Sequence, residues 1–392
     1  MSFIPSDELK NLSDALPESA SGLYQTTNPE AANLSSDSRV TSNNGKPSKP
    51  SIRKPKAFRP IILTLLFLLL NGSVLLFGQF NAAINMGLTY TDNAFQLSSY
   101  DLQRNEDRHP DLDFVESADD VVLNMRFNGS YDTHWRWWKI KPSIQLNGSQ
   151  YVLNTSKQRV SALAGIKVSR LLGDFGIYYG YYPDVYIRNY TDTDGTGKSE
   201  RYSYDRNHYR ADLRIRPIKT GTAFLQYRKD VYYYNQFFTE YDGDIDTWIA
   251  GWQQNFPTFY LDASYSFRVY ETEQGVSFDN PEDASYESNV YDFGILLKKM
   301  DLDSRYPSLK WRPELDLRFE QRYYQGGDSW HRNRTDNINT TTAKLHFYPC
   351  ARWNLSLDYS HIFRNVDAAY SSVRKYKEYS ENRFALNAGY KF

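Results

Sequence analysis

The stretch LKWRPELDLRFEQRY, Leu309 to Tyr323, decides the fold. Leu309, Trp311, Pro313, Leu315, Leu317, Phe319 and Tyr323 fall on one side of an extended chain, and Lys310, Arg312, Glu314, Asp316, Arg318, Glu320 and Arg322 on the other. Successive side chains of a strand point to opposite faces, so this is one strand with an apolar and a charged face. It outruns the usual globular strand of about 5–6 residues. It suits a membrane-crossing strand of about 9–11 residues that continues beyond the bilayer.

The same period recurs along the chain. Phe80, Ala82, Ile84, Met86, Leu88 and Tyr90 share one face, as do Val121, Leu123, Met125, Phe127 and Tyr131, which oppose Asn124, Arg126 and Asn128. Tyr209, Ala211, Leu213 and Ile215 alternate with Arg210, Asp212, Arg214 and Arg216. Read through, the pattern predicts about fourteen strands, starting near residues 79, 120, 136, 158, 175, 203, 222, 245, 259, 288, 308, 339, 353 and 381. Long polar connections (92–119, 190–203, 235–245, 271–288, 324–338 and 365–381) alternate with short turns such as Leu171 to Asp174, Ile218 to Gly221 and Pro349 to Arg352. Short periplasmic turns alternating with longer outer loops are the habit of bacterial membrane barrels. The connection around Asn154 to Lys157 departs from it by being short.

Composition agrees. Aromatic residues are 16% of the chain, with 33 Tyr and 22 Phe against 4 Met, an enrichment that favours strands. A mean hydropathy of -0.67 excludes a bundle of membrane helices, each needing about 20 mostly apolar residues, but not a barrel whose strands alternate. A net charge of -1 offers no basic field for a phosphate backbone, so nucleic acid is set aside as a partner. The single Cys350 forms no internal disulfide and supplies no cysteine-based metal site.

Pro60 to Phe77, PIILTLLFLLLNGSVLLF, follows Arg53, Lys54, Lys56 and Arg59. A charged cluster before an apolar run is the order of a secretory signal, and Gly78 before Gln79 offers a cleavage point. An uncleaved transmembrane anchor is the competing reading. The expected organisation is a disordered leader over 1–51, a signal-peptide-like segment over 52–78, and a barrel over 79–392. Trp135, Trp137 and Trp138, and Tyr232, Tyr233 and Tyr234, gather at strand ends, where amphipathic rings suit membrane interfaces. The last stretch, Asn382 to Phe392, puts Phe384, Leu386, Ala388, Tyr390 and Phe392 on one face. It resembles the C-terminal assembly signal of bacterial outer-membrane β-barrel proteins, with Tyr390 and Phe392 in the signal positions. The resemblance implies an all-β, antiparallel up-and-down barrel in the outer membrane of a Gram-negative envelope. Its partners would be outer-membrane lipid, lipopolysaccharide and the barrel assembly machinery.

If the apolar register faces lipid, the polar one faces the lumen. That assigns Arg126, Arg210, Asp212, Arg214, Arg216, Arg228, Arg268, Arg312, Glu314, Asp316, Arg318 and Glu320 to the lumen lining. These charges either pair across strands and hold the barrel, or guide small solutes. The arginine-rich register is similar to that of monomeric oligosaccharide porins, although that family has fewer strands and carboxylates interrupt the ladder here. The expected function is porin-like passive diffusion of small hydrophilic solutes, with no cofactor and no catalysis. The alternatives are a non-conducting scaffold or the membrane part of a surface-polysaccharide or protein export assembly, and less readily a barrel enzyme. His208 and His346 fall in the lumen register and His361 in the lipid register, which is weak support for catalysis. Asp192, Asp194, Gly195 and Gly197 hint at a calcium loop, as do Asp242, Asp244 and Asp246, against the plainer reading of hairpin tips.

Overall fold

The computed structural model describes residues 79–192, 196–272, 284–302 and 309–392. The expected leader and export segment, and Asp194 and Gly195, lie outside the described residues. Strand β1 (Gln79–Thr91) leads through helix α1 (Ser99–Glu106) to β2 (Asp120–Trp135). There follow β3 (Trp138–Tyr151), β4 (Arg159–Arg170), β5 (Gly173–Thr191), β6 (Ser199–Ile218), β7 (Gly221–Tyr234), β8 (Gly243–Asn255), β9 (Phe259–Thr272) and β10 (Tyr286–Leu297). A two-residue β11 (Met300–Asp301) pairs with the start of β12 (Lys310–Tyr324). The chain continues through β13 (Thr335–Tyr348), β14 (Trp353–Asp367), helix α2 (Ser371–Lys377) and β15 (Tyr379–Lys391). Each long strand pairs antiparallel with its neighbours, β10 joins β12, and β1 joins β15, so the sheet closes as a barrel of 14 membrane-length strands.

Closure removes every sheet edge, which is what a strand structure needs inside hydrocarbon. The seam sits where the alternation of the last strand placed it: Ile84 opposes Tyr390, Leu88 opposes Leu386 and Tyr90 opposes Phe384. The Phe392 amide donates to the Ala82 carbonyl at 3.0 Å at one end of the seam. At the other, the Asp92 carboxylate accepts from the amide and side chain of Asn382, both at 2.7 Å.

Exposure runs opposite to that of a water-soluble domain. Leu88, Leu315, Leu317, Phe384 and Leu386 are exposed, whereas Glu320, Arg322 and Asp336 are buried. An apolar outer belt around a charged interior is stable only against lipid. Trp135, Trp137 and Trp138 are exposed at the short-turn end, as an interfacial belt requires. The tyrosine trio divides otherwise. Only Tyr233 is exposed; period two turns Tyr232 and Tyr234 inward, against Tyr204 and Tyr202.

The short connection after β3 has a specific cause. The two oxygens of Asp120 accept from the amides of Val152, Leu153 and Asn154 at 3.0, 3.1 and 2.8 Å, and from the Asn154 side chain at 2.9 Å. One carboxylate thus satisfies the donors that a longer loop would give to water.

Candidate functional site

The interior wall is built from cross-strand pairs, and its chemistry follows from their register. Glu314 on β12 opposes Lys344 on β13, which reaches both Glu314 at 2.5 Å and Asp316 at 2.9 Å; His346 meets Glu314 at 3.0 Å. One turn of the pattern nearer the outer end, Glu320 takes Arg322 at 2.6 Å and Arg268 at 3.3 Å, and Arg318 lies 3.5 Å from Asp292. Beyond them Asp336 is clasped between Arg334, which donates two bonds of 2.9 Å, and Arg364. On the facing wall, His208 and Asp230 meet at 2.9 Å, Arg210 and Asp212 at 3.4 Å, and Arg216 and Asp174 at 2.7 Å. Arg228 donates to Gln226 at 2.6 Å, and the Arg214 guanidinium lies 5.8 Å from the Phe224 ring.

Arg210 also stacks on Tyr178, 4.0 Å from its ring centre. That ring lies across Gly165 and Gly176, and a Cβ at either glycine would collide with it. The close approach explains glycine at these two positions of a strand wall.

Arg126 donates to Asn147 at 3.0 Å and Arg312 lies 5.5 Å from the Tyr348 ring, and among the described residues neither meets a carboxylate. Sequence reasoning missed Lys344, Arg334, Arg364 and Asp336 as members of these networks. Each lies in the inward register, and period-two reading could have included them.

The outer end of the lumen holds a feature absent from the sequence reading. Tyr204, Tyr232, Tyr270, Tyr286 and Tyr324 make successive ring contacts at 5.0, 6.3, 5.4 and 5.6 Å, an arc across β6, β7, β9, β10 and β12. Above it, segments 92–119, 325–334 and 368–378 meet. Tyr100 contacts Tyr376 at 5.1 Å, and Trp330 contacts Tyr376 at 6.1 Å. Phe95 and Leu97 are buried with Leu112, Val115 and Tyr186, and Arg188 reaches the Phe95 carbonyl at 3.5 Å. Gln96 donates to Glu381 at 3.2 Å. These contacts knit the outer segments into a cap anchored to β5 and β15 at this end of the barrel. Lys157 is buried against it, its side-chain nitrogen 4.3 Å from the Phe95 ring centre. Burial, aided by the neighbouring charges of Arg159 and Arg188, pushes the Lys157 pKa well below its ordinary value. The apolar residues scattered through segment 92–119 were the available signal.

The acidic loops have partners of their own. Asp192 accepts from the Thr196 amide at 2.7 Å, closing its hairpin, and Lys229 pairs with Asp244 and Asp246.

No known family profile matches the chain, and no curated protein matches it. Among solved structures, the outer membrane channel DcaP of Acinetobacter baumannii is similar at 12% identity over 80% of this chain and 97% of its own, with a TM-score of 0.44. An anion-selective porin from Comamonas acidovorans is similar at 10% identity over 80% and 99%, TM-score 0.39. A bacterial polysaccharide outer membrane secretin is similar at 9% identity over 79% and 98%, TM-score 0.39. What fixes the class is the architecture itself: an even number of antiparallel strands, closed, apolar outside and charged within. The chain is an outer-membrane β-barrel protein.

Proposed function

We propose that the barrel is a passive channel for small hydrophilic solutes, with selectivity set by lumen width and by the mixed arginine and carboxylate wall. The observation that supports this most is the state of the inward charges. Many are tied to a partner on the same or a nearby strand, which keeps the wall rigid and polar, while Arg126 and Arg312 meet no carboxylate among the described residues. A confined wall of this kind replaces part of a solute's hydration shell, and the two arginines tilt it towards anions. No catalytic step is part of this reading. His208 is occupied by Asp230, and His346 by Glu314.

The test is single-channel conductance in planar bilayers, with the reversal potential measured in a salt gradient. Arg126→Ala and Arg312→Ala should shift selectivity towards cations more than Arg318→Ala, whose charge is shared with Asp292. A stably inserted barrel without conductance under any voltage would overturn the channel.

The cap favours a second reading, a barrel closed at its outer end that serves as a scaffold or export component. Phe95→Ser with Leu97→Ser separates the two. Conductance that rises in this variant makes the cap a gate on a channel. An unchanged, silent barrel supports the scaffold.

A further inference from the structure

At the short-turn end of the lumen, β2 to β6 border an open cavity of about 300 Å³. Its lining is strongly cationic: Lys139 and Lys141 from β3, Lys167 and Arg170 from β4, and Arg216 from β6, against Asp174 of β5. Those charges are unequally satisfied. Arg216 donates to Asp174 at 2.7 Å, and Lys139 and Lys141 share Asp132 at 3.3 and 3.7 Å. Lys167 and Arg170 make no ion pair among the described residues; Arg170 lies over the Trp138 ring at 5.2 Å.

Register sharpens the point. Lys141 and Lys167 are direct cross-strand partners. Like charges placed opposite each other destabilise a sheet. On its other side Lys167 opposes Gly176, across which the Tyr178 ring lies, so that neighbour supplies no acid. Trp137, at the tip of the β2–β3 turn, closes one side of the cavity with an exposed indole. Its neighbour Arg136 holds φ 54°, a left-handed conformation that a non-glycine residue adopts at a cost. A concave site with converging cations, two of them opposed and only one of those two within reach of a carboxylate, is arranged for an anion that brings its own charge.

We propose that this cavity binds a small multivalent anion, bearing phosphate or several carboxylates, at the periplasmic mouth of the barrel. Two or more negative charges are required, because five cations face only Asp132 and Asp174 and a single added charge leaves two in excess. Short turns mark this end as periplasmic. The binding does not depend on conduction, so failure of the channel reading would leave it standing.

Calorimetric titration of the detergent-solubilised full chain with pyrophosphate at low ionic strength tests it. Saturable binding at one site is expected, weakening as salt rises. Lys167→Gln with Arg170→Gln should lower affinity by about tenfold or more, since charge-assisted bonds carry most of such recognition. Lys198→Gln with Arg332→Gln removes the same charge from exposed outer loops and should leave affinity unchanged. Lys167→Gln alone should also raise the thermal stability of the anion-free barrel by relieving Lys141, and should reduce the stabilisation that pyrophosphate gives the wild type. No saturable heat, or equal loss in the outer-loop variant, would overturn the proposal.

Discussion

Asp336→Ala should be among the most damaging single substitutions in the barrel. The Asp336 carboxylate is fully buried and holds two cations that are themselves about 2% exposed, Arg334 through two 2.9 Å bonds and Arg364 through a third contact. Removing the acid leaves two guanidinium groups without their counter-charge where water does not reach. Breaking a buried pair from one side costs about 3–5 kcal/mol, because the surviving charge stays desolvated. With a urea dependence of about 2–3 kcal/mol per molar, the unfolding midpoint should fall by about 1.5 M. The Arg201–Asp184 pair has a comparable distance of 2.9 Å, yet both side chains are about half exposed, so Asp184→Ala should cost about 0–1 kcal/mol. Adding Arg364→Met to Asp336→Ala should recover part of the loss by removing one orphaned charge. Because Arg334 leads directly out of segment 325–334 and packs 4.2 Å over the Tyr324 ring, the same substitution should open that loop to trypsin. Urea unfolding in detergent, followed by tryptophan emission, measures the first effect. A midpoint shift for Asp336→Ala no larger than that for Asp184→Ala would refute the reasoning.

Lys157→Met should stabilise the barrel by of order 1 kcal/mol at neutral pH, since the cost of burying the ammonium disappears and the stem still packs on Phe95. The sign with pH follows from the lowered pKa: the unfolded chain binds a proton that the folded one has given up. Wild-type stability therefore rises as pH climbs towards the ordinary lysine value of about 10.4, and thermal melts of Lys157→Met should lack that rise. Gly165→Val should cost about 1–3 kcal/mol in chemical unfolding by forcing the Tyr178 ring off the wall, and should disturb the Arg210 stack. Phe392→Ser with Tyr390→Ser should lower the amount of heat-modifiable barrel in outer membranes several-fold while leaving the refolded protein's melting temperature little changed; equal levels of the two proteins would remove the assembly role from these residues.

The strands were legible because a membrane barrel is a single sheet with one rule. Leu309 to Tyr323 alternates since each outward position meets lipid and each inward one meets polar neighbours, so period alone locates β12 within a residue or two. The seam was legible for the same reason, since β15 alternates to its end and had only β1 left to pair with. Tyr232 and Tyr234 show where composition misleads: aromatic identity suggested the interface, but position on the pleat decided the face, and only Tyr233 points out. The cap was hidden because Phe95 and Leu97 pack not only with Leu112 and Val115 of their own segment but with Tyr186, and because Arg188 and Glu381, remote in sequence, bind the chain at Phe95 and Gln96. The apolar residues of segment 92–119 signal burial but not which distant strands supply it.

Register is the deeper limit, and it is where the lumen's chemistry resides. Period two assigns Glu314, Asp316 and Lys344 to the inside, yet it does not say that Lys344 stands opposite Glu314 and within reach of Asp316. A slip of one residue would carry the whole inward set of β13 to the lipid face, which burial forbids; a slip of two is allowed by the pleat and would pair Lys344 with a different acid. The same holds for Lys141 and Lys167. Both lie in the inward register of the sequence, and only the observed pairing of β3 with β4 sets them face to face. An opposition that the pleat would let the chain avoid by shifting two places, and that Gly176 does nothing to neutralise, is better accounted for by an anion held between the lysines than by the needs of the wall.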